Sequence, residues 1–196
     1  MISSNGSCDE DIERCEKAFL RQFYSIYRKF HFIDNNVLLY LFNAHCTSFY
    51  GSELWIINKY KVTSYKSTSI CFHDAIKKIY GIPRQESNHF VCNNLNILTF
   101  DHFIHKKMIN FYFNIIESFS LCFAPFLHYF IKNSFMHRKI KKLCHDKYGI
   151  NDIYNNDVDA IFARIARVQK EESCSLPLFL RNIEQYYNNE NLVFFD

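Results

Sequence analysis

A chain of 196 residues is long enough for one substantial domain, and a hydrophobic content of 48% excludes an intrinsically disordered polymer. Only 4 glycines and 3 prolines are present, which disfavours a many-turned sandwich or barrel and leaves helices joined by short loops. A net charge of +3 and a pI of about 8.4 make the chain mildly basic, too weakly so to designate nucleic acid on charge alone.

Residues 1–8 read as a loose start. From Asp9 to Phe30, apolar residues recur at Ile12, Cys15, Phe19, Phe23, Ile26 and Phe30, in steps of three and four that describe one helix face. Asp9, Glu10 and Asp11 open this helix and Arg28 and Lys29 close it, as the helix dipole prefers. Asp34 is the expected N-cap of a second helix through Val37, Leu38, Leu41, Phe42 and Cys46. That helix is apolar nearly all round and is expected to be buried, with Gly51 and Ser52 breaking it. Residues 56–66 read as a loop into a third helix at about 66–80, stopped by Gly81 and Pro83.

Thr99 is the expected cap of a helix at about 102–118, and Pro125 splits off another at about 124–132. Residues 111–131 come nearest to a membrane span, but Asn114, Glu117, Pro125 and His128 interrupt them, so buried core helices and no membrane segment are expected. A basic helix runs from Phe135 to a stop at Gly149. Asn156 or Asp157 starts a further helix with Ile161, Ile165 and Val168 inward, and Ser175 with Pro177 begins a last short one. The expected fold is an all-α bundle of roughly six to eight helices without substantial sheet. A composition shift at about 133–150 places a candidate boundary between residues 1–133 and a basic helical region, 134–196.

Complete catalytic constellations are missing. Cys71 with His73, His102 with His105, and Cys144 with His145 are the close Cys/His pairs, and none has the second pair that a zinc site needs, so no metal or cofactor is expected. No nucleophile elbow, phosphate-binding glycine loop or set of metal-gathering carboxylates occurs. The chain has 8 scattered cysteines behind a polar, acidic opening, which points to reduced thiols inside the cell, in cytoplasm or nucleus. Cys46, Cys71, Cys92 and Cys122 lie in apolar surroundings, as small hydrophobes do.

Two basic patches remain. Arg138, Lys139, Lys141 and Lys142 fall close together, and Arg138, Lys141, Lys142 and His145 share one helix face. Such a stripe either tracks a phosphate backbone or is a solvated helix face. Arg28 and Lys29 beside Phe30, His31 and Phe32 form a smaller patch with the same two readings. The high aromatic content, 21 Phe and 13 Tyr, is explained either by A/T-rich codons with core packing or by base-stacking platforms.

Three motifs in order carry a family resemblance. The first is Tyr27-Arg28-Lys29-Phe30. The second runs Leu41-Phe42-Asn43-Ala44-His45-Cys46-Thr47-Ser48-Phe49-Tyr50, with Leu54-Trp55 behind it. The third is Ala75-Ile76-Lys77-Lys78-Ile79-Tyr80-Gly81-Ile82-Pro83, followed by Thr99-Phe100. Residues 19–116 thereby resemble the region just downstream of the polymerase core in reverse transcriptases of LINE-type (non-LTR) retrotransposons, the jockey-like group. His45 and Phe49 depart from that family's usual Tyr and Leu. The resemblance implies a thumb-like helical region over 1–133 that contacts template and primer, RNA or an RNA–DNA hybrid, beside a polymerase palm. The palm's aromatic-x-Asp-Asp motif is absent here, so no catalysis by this chain alone is expected. Arg28, Lys29, Arg138, Lys139, Lys141 and Lys142 are then the candidate backbone contacts. The rival expectations are a helical protein-interaction module and a remnant without function.

Overall fold

The computed structural model describes residues 9–53, 55, 63–151, 153 and 158–174, and of residues 117–133 and 173–174 the backbone alone. Among the described residues the secondary structure is all α: α1 Asp9–Phe30, α2 Asn35–His45, α3 Thr63–Ile79, α4 Asn88–Asn94, α5 Phe100–Asn133, α6 Phe135–Tyr148 and α7 Val158–Cys174. The expected all-α bundle is therefore the observed one. The expected last helix beyond Ser175 and the residues offered as the start of α7 lie outside the described residues.

Local signals explain most helix ends. The Asp34 carboxylate accepts from the Asn36 and Val37 amides at the start of α2, taking up two of its otherwise orphaned donors. The Ser134 hydroxyl does the same for His137 at the start of α6. At the end of α3, Gly81 has φ +65°, and the Ile82 amide donates back to the Lys77 carbonyl at 2.8 Å. Gly149 ends α6 in the same way, with φ 65° and the Ile150 amide donating to Cys144 at 2.9 Å. Both stops are left-handed turns that a residue without Cβ takes at least cost.

Three expectations change. α5 runs unbroken through Pro125. Proline removes one helical hydrogen bond and crowds one turn, at a cost of about 3 kcal/mol, but its φ near −65° is helical, so it does not oblige the chain to leave the helix. α2 is not buried all round: Leu38 and Phe42 face inward while Val37 is 51% and Tyr40 72% exposed. Its main packing is on α1 and α3, so its outer side is uncovered. α4 was not expected at all.

One apolar cluster runs from Ile12 on α1 to Val168 on α7. Its aromatic hub is Phe49, in the turn after α2. The Phe49 ring lies 5.3 Å from Phe19, 5.6 Å from Phe100, 6.0 Å from Trp55 and 6.5 Å from Phe72, centroid to centroid. Phe49 has φ 25°, a conformation unfavourable for a bulky residue, and this packing holds it there. Lys107 of α5 donates its ammonium protons to the Ser48 and Phe49 carbonyls, and Trp55 Nε1 donates to Asp11 at 3.5 Å. Of the motif residues singled out in the sequence, Phe42, Cys46, Trp55, Ala75, Ile79 and Phe100 lie in this core, whereas Arg28, Lys29, Phe30, His45 and Tyr50 are exposed.

α1 and α3 are the most extensively paired helices. Their seam is partly polar: Glu16 accepts from Ser67 at 3.0 Å and from Thr68 at 2.9 Å, and Glu13 accepts from Ser64 at 3.3 Å. α5 carries α6 and α7 on its other contacts, and α4 packs on α7.

Candidate nucleic-acid interface

The periodicity that turns Ile12, Cys15, Phe19 and Phe23 inward turns another set outward. Arg14, Lys17, Arg21, Ser25 and Arg28 follow one another at steps of three and four on the opposite arc of α1, and all are exposed, with Tyr24 and Lys29 beside them, also exposed. From Arg14 to Arg28 the stripe covers about 21 Å of helix. Arg14 is paired with Asp11. Among the described residues, Lys17, Arg21, Arg28 and Lys29 lie within ion-pair distance of no carboxylate.

α6 presents the second stripe. Arg138, Lys141, Lys142 and His145 are exposed on one arc, opposite the buried His137, Ile140, Cys144 and Tyr148. Arg138, Lys139, Lys141 and Lys142 also have no carboxylate partner among the described residues. Lys139 turns aside, with its ammonium 5.3 Å from the centre of the exposed Phe135 ring. His145 is held by Asp146 at 3.0 Å. The fold thus brings Arg28 and Lys29 together at one end of α1 and gathers the other four on α6. It does not merge the two groups, because α1 packs chiefly on α2 and α3 and α6 on α5 and α7.

Lys17, Arg21, Lys78 and Arg84 were missed from sequence. The first two were legible by extending the helical period to the outer arc. Lys78 and Arg84 join α1 only through the α1–α3 packing. Lys78 Nζ sits 4.9 Å from the centre of the Tyr24 ring and 5.0 Å from that of Tyr27, in cation–π range. Arg84 is paired with Asp74 at 2.7 Å. A groove of about 370 Å³ lies between the helices, lined by Leu20, Tyr24, Cys71, Asp74, Lys78 and Arg84. A shallower one of about 490 Å³ adjoins it, lined by Leu20, Arg21, Tyr24, Ser25, Arg28 and Lys29. Leu20 and Tyr24 belong to both.

The other candidates resolve into structural groups. Cys144 is buried and His145 exposed, so that pair diverges. Burial pushes the thiols of Cys46, Cys92 and Cys144 up to about 11, 12 and 12, which keeps them protonated and poor nucleophiles. Cys122 lies outside the described side chains. His73 uses Nδ1–H to donate to the Ser69 carbonyl at 2.7 Å, and its Nε2 accepts from the Phe100 amide at 3.3 Å. His102 Nδ1 lies 2.7 Å from the Thr99 hydroxyl, and His105 Nδ1 lies 2.6 Å from the Tyr148 hydroxyl. Burial lowers His73 and His102 to about 4 and His105 to about 3, so all three are neutral. Among the described residues no group of three or more His, Cys, Asp or Glu is placed to hold a metal ion. Nor is any helix there long and apolar enough to cross a membrane.

No family model, no curated protein and no solved structure matches this chain.

Proposed function

We propose that this chain is a non-catalytic helical module that holds nucleic acid by its phosphate backbone. The observation that carries the reading is the pair of exposed cationic stripes without carboxylate partners among the described residues, Lys17, Arg21, Arg28 and Lys29 on α1 and Arg138, Lys141 and Lys142 on α6. Cations that are not neutralised within the protein are available to displace the counterions of a polyanion. The resemblance to the region downstream of the polymerase core in LINE-type reverse transcriptases adds the expected ligand, template RNA or an RNA–DNA hybrid. It adds an expected partner, a polymerase palm, and an intracellular place of action, in nucleus or cytoplasm.

The test is fluorescence anisotropy with a labelled RNA–DNA hybrid across a salt series. Binding is expected at about 50 mM salt, with log K falling against log salt at a slope of roughly −3 to −6, as for a handful of phosphate contacts. Reversing Arg28 and Lys29, or Lys141 and Lys142, to Glu is expected to flatten that slope by one to two. Folded protein that binds nothing at low salt removes the reading.

A second reading, a protein-interaction module, is favoured by one observation. Val37 and Tyr40 on α2 are exposed apolar residues in contact range along one helix face. Salt-insensitive self-association weakened by Tyr40→Glu would support it.

A further inference from the structure

The geometry points to a binding site for an unpaired nucleic-acid strand at the α1–α3 seam, with one base stacked on Tyr24 and the neighbouring phosphates on the cations around it. This site rests on the nucleic-acid reading and deepens it, because it specifies which form of the polymer is bound and where.

Tyr24 is the shared wall of the two adjoining grooves. It is 42% exposed although it sits on a helix that is otherwise well packed against α3. Cations from separate elements flank it. Arg21 and Arg28 stand one turn before and after it on α1, and Arg84 follows α3. The Lys78 ammonium lies over the Tyr24 ring at 4.9 Å, with the Phe23 ring 5.3 Å away, so a base that stacks there takes the place of that ammonium and leaves it for a phosphate. The single carboxylate in the lining, Asp74, is already paired with Arg84. Groove volumes of about 370 and 490 Å³ are large enough to admit a nucleotide.

The choice of an unpaired strand follows from what an aromatic wall can take. A base in a duplex has both faces stacked on its neighbours and offers only an edge. A ring set in a groove therefore gains a base only from a strand whose bases are free to turn outward, and such stacking is sequence-tolerant. The cations on the exposed arc of α6 meet duplex and single strand alike through charge.

The test uses the full chain and three labelled ligands of about 12 nucleotides, a uridine strand, a thymidine strand and a blunt RNA–DNA hybrid, all at one low salt concentration. Tyr24→Ala is expected to weaken binding of the single strands about 10-fold and to leave the hybrid within about 2-fold. Tyr24→Phe is expected to retain single-strand binding, since stacking needs the ring and not the hydroxyl. Circular dichroism verifies that both variants keep the helical content. If Tyr24→Ala binds single strands as the native chain does, or if Tyr24→Phe loses as much as Tyr24→Ala, the site is overturned while salt-dependent hybrid binding still stands. If the native chain binds none of the three ligands, both this site and the broader reading fall.

Discussion

The core of this protein is held by two different kinds of physics. Around Phe49 and Phe72, helices α1, α2, α3 and α5 meet along their sides, and rings pack on rings: Phe72 lies 5.4 Å from Phe100, 5.7 Å from Phe42 and 5.8 Å from Phe103. Where α4, α7 and the start of α5 meet, the contacts are polar. Gln169 of α7, 4% exposed, accepts from the Thr99 amide at 2.8 Å. It donates to the Ile97 carbonyl at 2.8 Å and to Asn93 at 2.9 Å. His73 accepts from the Phe100 amide in the same neighbourhood.

The difference follows from which part of a helix is buried. A helix side has no unsatisfied backbone groups, so apolar contact is enough. The first turn of α5 carries amides with no partner inside the helix, and burying it requires acceptors from elsewhere. The aromatic region should therefore respond to lost volume and the polar region to lost hydrogen bonds or added protons.

The largest expected effect is acid on the buried histidines of the polar region and of the adjoining α5–α6 contact. His73 and His105 have folded pKa values of about 4 and 3, below the unfolded value of about 6.5. The unfolded chain therefore takes up protons first. Stability is complete above about pH 7, falls as pH drops through 6.5, and continues to fall toward pH 4 and 3. At pH 5 these two residues alone cost about 4 kcal/mol relative to pH 7.5, and His102 acts in the same direction. Urea unfolding at both pH values reads this directly. An unchanged midpoint would mean the histidines are not buried in their neutral form.

Next in size is a cavity in the aromatic region. Phe72→Ala is expected to cost about 3–5 kcal/mol, with the loss the same at pH 7.5 and pH 6. Smaller, at about 2–3 kcal/mol, is Gln169→Leu, which keeps the volume but leaves the Thr99 amide and Ile97 carbonyl without their partner. Thermal melts of the two variants sharpen the comparison: Phe72→Leu should recover most of the first loss, while Gln169→Glu should not recover the second, because a carboxylate cannot donate to Ile97. Equal tolerance at both positions would erase the distinction.

Helix ends are legible in the amino-acid sequence where the signals are local. α1 spans Asp9–Phe30 as its apolar spacing and terminal charges required, Asp34 caps α2, and Gly81 and Gly149 stop α3 and α6. α4 escaped notice because it has only 7 residues and its Ser87 makes no side-chain cap bond. What ties it down is Gln169, 76 positions beyond Asn93. Of the candidate interface, Arg28, Lys29 and the α6 cations were legible as clusters of adjacent charge. Lys17 and Arg21 were not, because charges spaced by helical turns look scattered along a chain.

The ends and inward face of α1, the cap of α2 and the stops of α3 and α6 were thus determined by the amino-acid sequence alone, because caps, dipoles and the 3.6-residue period act within a few residues. The tertiary structure decided that α2 has an uncovered outer side, that α5 passes through Pro125, and that Lys78 and Arg84 join Arg21 and Arg28 around Tyr24. The uncovered side and the cation group depend on which helix lies beside which, and the unbroken α5 on whether the helix around one proline holds. No short window of residues contains that information.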